Sequence, residues 1–129
     1  MQLSAGSVLA ALAATASGLG TNCHGSDACH SLAAAGNIQN LKAIVDNIQP
    51  RSRFYESGKQ IACTGSLCAY YQNGAHGNVD QISRHLQALL NSGCRKCGSL
   101  PTKPGSNDVS RGELKVDILA KPGCQGACL

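Results

Sequence analysis

The sequence predicts an α+β fold, a two-layer α/β sandwich in which two helices cover an antiparallel sheet and disulfides staple the structure. Three observations predict this fold. Two segments carry apolar residues at helical spacing along one face, a later segment alternates polar and apolar residues with period two, and the chain has eight cysteines. A helix with one apolar face and a half-buried sheet each need a partner layer, so we expect them to pack on each other.

The N-terminus, residues 1–18, is predicted to be a secretory signal peptide. It carries no charge, includes a short apolar run, and ends in small residues, with Ala16 and Gly18 before Leu19. The apolar run is much shorter than the roughly 20 residues of a membrane-spanning helix, so no membrane span is expected. Residues 19–129 are then expected to form one secreted domain.

A first helix is expected between Asn37 and Gln49. Its apolar residues recur at spacings of three and four, at Ile38, Leu41, Ile44, Val45 and Ile48. The Asn37 side chain can cap the start of this helix, and Pro50 lies where the helix must stop. The pattern predicts one apolar face that packs against the sheet.

A second helix is expected from about Val79 to Asn91. Its apolar face carries Val79, Ile82, Leu86, Leu89 and Leu90. Asn78 can cap the start, and Gly93 can close the end in a conformation that other residues rarely adopt. This helix also has one apolar face, so both helices are expected to lie on the same kind of layer.

Strands are predicted before and after the second helix. Gly112–Ile118 alternates polar and apolar residues, and its apolar face carries Leu114, Val116 and Ile118. Gln60–Asn73 is rich in β-forming residues around a Thr-Gly-Ser break, which predicts one bent strand or two. Loops are expected where Gly, Pro, Ser and Asn are frequent, in residues 49–59, 73–78 and 98–107.

The cysteines predict four disulfides, because an even number behind a signal peptide indicates an oxidising compartment. They are Cys23, Cys29, Cys63, Cys68, Cys94, Cys97, Cys124 and Cys128. The alternative is a zinc site, since Cys94 and Cys97 have zinc-knuckle spacing and the cysteines beside His24 and His30 could complete it. Secretion favours oxidation of the thiols, so neither a bound metal nor a free thiol is expected.

The charge balance favours an anionic partner or surface. Eleven Lys and Arg against seven Asp and Glu give a formal net charge of +4. Nucleic-acid binders more often carry a dense basic stripe with interleaved aromatic residues, and this sequence has neither. No nucleic-acid partner is therefore expected.

A small basic secreted ribonuclease, or another hydrolase, is the alternative from a different functional class. Its acid and base could come from His24, His30, His76, His85, Glu56 and Glu113. The sequence does not show that these residues converge, and His85 borders the apolar face of the second helix, where packing is the simpler interpretation. No nucleophile elbow, zinc-protease motif or phosphate-binding loop occurs. We therefore expect neither an enzyme nor a cofactor.

The stretch NDVSRGEL (Asn107–Leu114) concentrates polar residues and predicts either a reaction centre or a turn. Asn, Asp and Ser side chains bond nearby backbone amides in turns, Gly112 permits unusual dihedrals, and the alternating strand begins directly afterwards. A turn leaves only Arg111 unexplained, and this residue could pair with Asp108 or another acid. We interpret the stretch as a turn.

Four blocks of the sequence also carry a family resemblance. In chain order they are LGTNCHGSDAC (Leu19–Cys29), AYYQ (Ala69–Gln72), RHLQALLNSGCRKCGS (Arg84–Ser99) and NDVSRGELKV (Asn107–Val116). Together they resemble the corresponding blocks of the KP-four-like killer toxin family, which comprises a virus-encoded toxin of smut fungi and its chromosomal fungal relatives. The resemblance covers nearly the whole chain after residue 18.

This resemblance implies a secreted, monomeric α/β sandwich that inhibits calcium channels of fungal or plant cells and so arrests their growth, without enzymatic chemistry. The partner would then be a membrane calcium channel of the target cell, and the toxin would serve antifungal action or virulence. The resemblance also implies the pairs Cys23–Cys94 and Cys29–Cys97. Three pairings stay open for Cys63, Cys68, Cys124 and Cys128. A further alternative is a secreted effector that keeps the fold but has lost the channel activity.

The sequence departs from the toxin pattern in the middle of the chain. Ser83 stands where that pattern has a cysteine, and Cys68 is additional. A channel blocker needs a cation on a rigid surface, since Lys or Arg can enter a carboxylate-lined ion pathway. The candidates for target binding are Lys59, just before the middle strand, with Arg51 and Arg53. A solvated Lys59 without a role is the alternative.

Overall fold

The computed structural model describes residues 20–30 and 36–129, and it confirms the α+β sandwich. The two α-helices are α1 (Ile38–Val45) and α2 (Val79–Asn91). The strands are β1 (Phe54–Tyr55), β2 (Gln60–Thr64), β3 (Leu67–Gln72), β4 (Gly77–Asn78), β5 (Gly98–Pro101), β6 (Glu113–Ile118) and β7 (Gly126–Ala127). The predicted signal peptide lies outside the described residues. In the described part of the chain, no helix is both long and apolar enough to cross a membrane.

The main sheet has five antiparallel strands in the order β5-β6-β3-β2-β7. Its central pair, β3 and β6, runs in unbroken register from Leu67 opposite Ile118 to Gln72 opposite Glu113. A second, two-stranded sheet joins β1 to β4. The Thr-Gly-Ser break is a turn, so the middle segment forms two strands, and Cys63 of β2 lies opposite Cys68 of β3.

Side-chain caps begin both helices, as the sequence predicts. The Asn37 side chain accepts a hydrogen bond from the Asn40 amide at 2.8 Å. Asn78 and Gln81 form a reciprocal capping box, in which each side chain accepts a hydrogen bond from the other backbone amide. Helix α1 is shorter than predicted and ends at Val45, because the Asn47 and Ile48 amides bond to carbonyls three residues earlier rather than four.

The hydrophobic core lies between the helices and one face of the sheet. Fully buried side chains from both layers meet there, including Leu41, Val45, Leu67, Tyr71, Ile82, Leu86, Leu89, Leu114 and Val116. A smaller apolar cluster on the opposite face contains Cys63, Cys68 and Tyr70. The sheet is therefore partly covered on both faces.

Four disulfides staple the fold. The structure joins Cys23 to Cys94 and Cys29 to Cys97, the two pairs that the resemblance implies. These bonds tie the N-terminal segment to the chain between α2 and β5. The remaining four cysteines pair locally, as Cys63–Cys68 and Cys124–Cys128.

The loop predictions are wrong in part. Residues 98–107 begin with β5, an edge strand, and residues 49–59 and 73–78 contribute β1 and β4. These strands are only two to four residues long, and β4 and β5 are rich in Gly, Ser, Pro or Asn, so their sequences carry little strand signal. In β1 two β-forming residues, Phe54 and Tyr55, are too few to show an alternation. Their partners, rather than their own composition, make them strands. The tail strand β7 is explained in the same way.

Candidate functional site

The candidate binding surface is an open cavity of about 500 Å³ between the β1–β2 turn and the C-terminal tail. We call it the tail cavity. It is lined by Arg53, Phe54, Tyr55, Glu56, Lys59, Gln60, Gly123, Cys124, Cys128 and Leu129. The sequence-predicted residues Lys59 and Arg53 therefore share one surface.

A tight turn presents Lys59 at the edge of this cavity. The turn closes through a hydrogen bond from the Lys59 amide to the Glu56 carbonyl at 3.2 Å, and the Gly58 amide donates to the Tyr71 carbonyl of β3 at 2.8 Å. Gly58 has a φ of +86°, which favours glycine at this position. Since Gln60 begins β2 directly afterwards, Lys59 projects from a turn fixed at both ends.

The two cations of the tail cavity are in different environments. Lys59 is exposed, and its ammonium forms no ion pair with any carboxylate of the described residues. Arg53 is half-buried, and its Nε–H is a buried donor without a hydrogen-bond partner within the described chain.

Exposed apolar side chains stand next to these cations. Phe54 is 55% exposed and Leu129 is 82% exposed, and both line the tail cavity. They are the exposed large hydrophobic residues of the described ranges. Aromatic and aliphatic groups beside a cation are typical of protein-binding surfaces, where apolar anchors supply affinity and charge supplies specificity. Neither residue stands out in the sequence, because the exposure of an apolar side chain cannot be inferred from residue type.

The C-terminal tail forms one wall of the cavity through three polar contacts. The Tyr55 hydroxyl donates to the Cys128 carbonyl at 2.7 Å, and the Cys128 amide donates to the Ile61 carbonyl at 2.9 Å. The Gln60 side chain accepts from the Gly123 amide at 2.6 Å. Burial raises the pKa of Tyr55, more than the positive charge of Arg53 lowers it, so this hydroxyl remains a donor.

Arg51, the third predicted target-binding residue, lies outside the tail cavity lining. Its guanidinium donates to the carbonyls of Val45 and Asp46 at the end of α1 and to Asp80 in the first turn of α2. These contacts join the end of one helix to the start of the other. Arg51 therefore has a structural role in the free protein, and its contact with a target stays a prediction.

Ser83, which stands where the toxin pattern has a cysteine, also joins the two helices. Its hydroxyl donates to the Asp46 carboxylate at 2.5 Å. Burial raises the pKa of Asp46. Hydrogen bonds from Lys42 and Ser83, together with the charges of Lys42 and Arg51, lower this pKa by more than burial raises it, so the net shift is downward. A hydrogen bond thus links the helices at Ser83.

The cysteines of the alternative zinc site form disulfides in the structure. All eight cysteines are bonded, and Cys94 and Cys97 pair with the cysteines beside His24 and His30. A three-cysteine group, Cys63, Cys124 and Cys128, has sulfur atoms within 4.8 Å of one another, but all three belong to disulfides. Zinc takes thiolates, so oxidised sulfurs do not serve as its ligands.

The acid–base candidates of the ribonuclease alternative are dispersed. Glu56 lines the tail cavity, while Glu113 is 5% exposed and accepts a hydrogen bond from Asn73 at 2.9 Å. His85 is hydrogen-bonded to the Tyr71 hydroxyl through Nδ1 at 2.9 Å, as expected of a packed histidine. Of the six residues, only His76 and His85 share a described cavity.

The NDVSRGEL stretch is a turn, as the sequence predicts. A short 3₁₀ helix, Val109–Arg111, begins after Asp108, whose side chain accepts hydrogen bonds from the Ser110 amide and hydroxyl. Those bonds lower the pKa of Asp108, and the charge of Arg111 contributes less. Gly112 then adopts a φ of +132° before β6 begins. No ion pair of Arg111 occurs with any acid that the structure describes.

Comparison with known proteins agrees with this fold and with the sequence blocks. The family model described as Kp4 matches residues 7–120. A curated relative, the KP4 killer toxin of Ustilago maydis P4 virus, is 34% identical over 104 residues, which cover 78% of this chain and 80% of the relative. Both matches extend over most of the residues that build the sandwich.

Proposed function

This chain belongs to the Kp4 family, and we propose that it is a secreted killer toxin that arrests the growth of fungal or plant cells by blocking a calcium channel, without enzymatic chemistry. Four disulfides suit a protein that works in an oxidising environment. We further propose that residues 1–18 are removed on secretion and that residues 19–129 act as a monomer.

The unpaired Lys59 beside the exposed Phe54 and Leu129 is the observation that carries this proposal. A Lys ammonium that pairs with no carboxylate of the described residues is available to the carboxylates of a cation pathway. The apolar neighbours exclude water around such a contact and so strengthen it. Arg53 adds a second positive charge to the lining of the same cavity.

The first experiment measures the extension of fungal hyphae and plant root tips, together with their calcium uptake, in the presence of the secreted protein. We expect inhibition of both, and we expect excess external calcium to relieve it, because calcium competes for the channel mouth. Normal extension and uptake in both organisms would contradict the proposal. That outcome would instead support an effector that keeps the fold.

A matched pair of variants tests the role of Lys59. Lys59→Glu reverses a charge in the tail cavity, whereas Lys121→Glu makes the same change at an exposed position outside its lining. We expect Lys59→Glu to fold normally and to lose at least about tenfold in potency, the effect of one interface contact worth about 1.4 kcal/mol. Equal potency of the two variants would remove Lys59 from the mechanism.

Incubation of the protein with RNA tests the hydrolase alternative. We expect intact RNA at protein concentrations that arrest growth. If nucleotides are released, RNA cleavage is measured again with the His76→Ala and His85→Ala variants, which shows whether the histidines are responsible. Cleavage that these substitutions abolish would replace channel block by ribonuclease action as the proposed function.

A further inference from the structure

A second cavity, of about 370 Å³, shares no lining residue with the tail cavity, although its His76 ring contacts the Phe54 ring of the tail cavity. We call it the histidine cavity. Its polar lining residues are His76, Gln81, His85, Thr102, Lys103 and Arg111. None of the residues that line it is acidic.

Separate parts of the chain supply these residues. Gln81 and His85 lie one turn apart on α2, and Lys103 lies in the chain that follows β5. Arg111 comes from the 3₁₀ helix before β6. The chain around α2 and the chain between β5 and β6 therefore place positive charge and hydrogen-bond donors around one space.

The cations of this cavity form no close ion pair within the described residues, although the charge of Arg111 acts on the nearby Asp108. Lys103 and Arg111 are exposed, and neither forms an ion pair with a described acid. The buried acid Glu113 is hydrogen-bonded to Asn73 and does not line the cavity. Since Lys and Arg side chains only donate hydrogen bonds, the ligand that suits them is an acceptor with negative charge.

The neutral polar residues also present donors. The Gln81 side-chain oxygen already accepts from the Asn78 amide at 2.8 Å, which leaves its NH₂ group as the available end. In His85, Nδ1 lies 2.9 Å from the Tyr71 hydroxyl. This contact occupies Nδ1, so Nε2 is the ring nitrogen left for a ligand. When the Tyr71 hydroxyl donates to Nδ1, the neutral imidazole carries its proton on Nε2 and presents an N–H donor.

We propose that the histidine cavity binds a phosphate group, presented either by an anionic lipid headgroup or by a soluble phosphate compound. A phosphate has several acceptor oxygens and a negative charge, and so matches a lining made of Lys, Arg, imidazole N–H, amide and hydroxyl donors. The volume lies in the usual range for small-molecule sites, roughly 300–1,000 Å³, and leaves space for the group that carries the phosphate.

Titration of inorganic phosphate into the isotope-labelled, disulfide-bonded protein tests this site. Amide chemical shifts are followed for the cavity residues, with sodium chloride at equal ionic strength as the reference. The test variant is Lys103→Gln with Arg111→Gln. The control is Arg95→Gln with Lys121→Gln, which removes the same charge from exposed residues outside this lining.

We expect saturable shifts around His76, Gln81 and His85, and at least about tenfold weaker binding in the test variant, because two charge-assisted hydrogen bonds to the phosphate are lost. The control variant should bind nearly as the parent does. Absence of saturable shifts would overturn the proposal, and so would equal weakening in both variants, which would indicate a general effect of net charge. Amide spectra of the free variants confirm that both remain folded.

Vesicles separate the two sources of the phosphate. Phosphatidylcholine vesicles with and without phosphatidic acid are sedimented with the parent and the test variant. Binding that needs phosphatidic acid, competes with inorganic phosphate and is lost in the test variant assigns the site to a lipid headgroup. Phosphate binding without vesicle binding assigns it to a soluble phosphate compound. Because these measurements use no target cell, they remain informative if the channel proposal fails.

Discussion

Asp117→Ala is expected to destabilise this protein strongly, although the residue occupies the polar face of an alternating strand. Asp117 is 4% exposed. Its carboxylate accepts hydrogen bonds from the Ser26 amide at 3.0 Å, from the Ser26 hydroxyl at 2.8 Å and from the Ile118 amide at 2.8 Å. It thereby holds the N-terminal segment against β6.

The expected magnitude is built from these contacts. A hydrogen bond to a charged group contributes roughly 1.5–3 kcal/mol, and a buried donor left without an acceptor costs about 1–3 kcal/mol. Ser26 is exposed, so in the variant its amide and hydroxyl can donate hydrogen bonds to water instead of Asp117. We count the full cost of the lost hydrogen bond for the Ile118 amide and only part of that cost for the two Ser26 donors. Asp117→Ala is then expected to lower the free energy of unfolding by about 2–4 kcal/mol. Asp117→Asn retains one acceptor oxygen and should lose about half as much.

Urea unfolding with the disulfides intact measures these changes. The control is Asp27→Ala, which removes the same charge from an exposed residue of the same segment and should change stability by less than about 0.5 kcal/mol. A double-mutant cycle with Ser26→Ala should give a coupling energy of about 1 kcal/mol. Equal stability of the Asp117→Ala and Asp27→Ala proteins would refute this reasoning.

Three further predictions concern stability. Burial, assisted by the charge of Arg84, lowers the pKa of His85 below its usual 6.5, so protonation favours the unfolded chain. Stability should therefore fall as the pH drops below about 6.5, and less so in His85→Gln, as urea titrations across this range would show. Asn78→Ala removes half of the capping box and should cost about 1 kcal/mol in the same assay. Arg51→Lys loses the guanidinium contacts between the helices and should cost about 1 kcal/mol while leaving growth inhibition per folded molecule unchanged, whereas greatly reduced potency would place Arg51 at the target.

Elements with strong local patterns could be predicted from the sequence. Helix α2 begins and ends where its cap and its periodic apolar residues indicate, because both signals lie within the helix itself. The β6 strand follows its alternation for the same reason. Edge strand β5 and tail strand β7 could not be predicted, since short strands are defined by the backbone that they pair with.

The polar face of β6 shows where the pattern argument fails. Alternation correctly places Leu114 and Val116 in the core, but it also implies that Glu113 and Asp117 face water. Both acids are buried, because Asn73 and the segment around Ser26 cover them. The covering segments arrive from distant parts of the chain, and period-two alternation carries no information about them.

The candidate site could be predicted only in part, because some of its residues are local in sequence and others are brought together by the fold. Lys59 stands out in the sequence as a cation just before a strand, and the turn that presents it is local. Its neighbour Leu129 lies far away in sequence, at the C-terminus. The histidine cavity is likewise assembled from two separate parts of the chain, residues 74–85 and 102–111, so no single short window contains both its histidines and its cations.

The four disulfides divide into two classes that serve the fold and the site differently. Cys23–Cys94 and Cys29–Cys97 span 71 and 68 residues. In the chain-entropy description, each therefore raises the free energy of the unfolded chain by about 4 kcal/mol. Cys124–Cys128 spans only 4 residues and raises the free energy of the unfolded chain by about 2 kcal/mol. Both of its cysteines line the tail cavity, and the Cys128 backbone bonds Tyr55. The long-range pairs therefore stabilise the sandwich, whereas the tail pair chiefly shapes the surface on which Lys59 is presented.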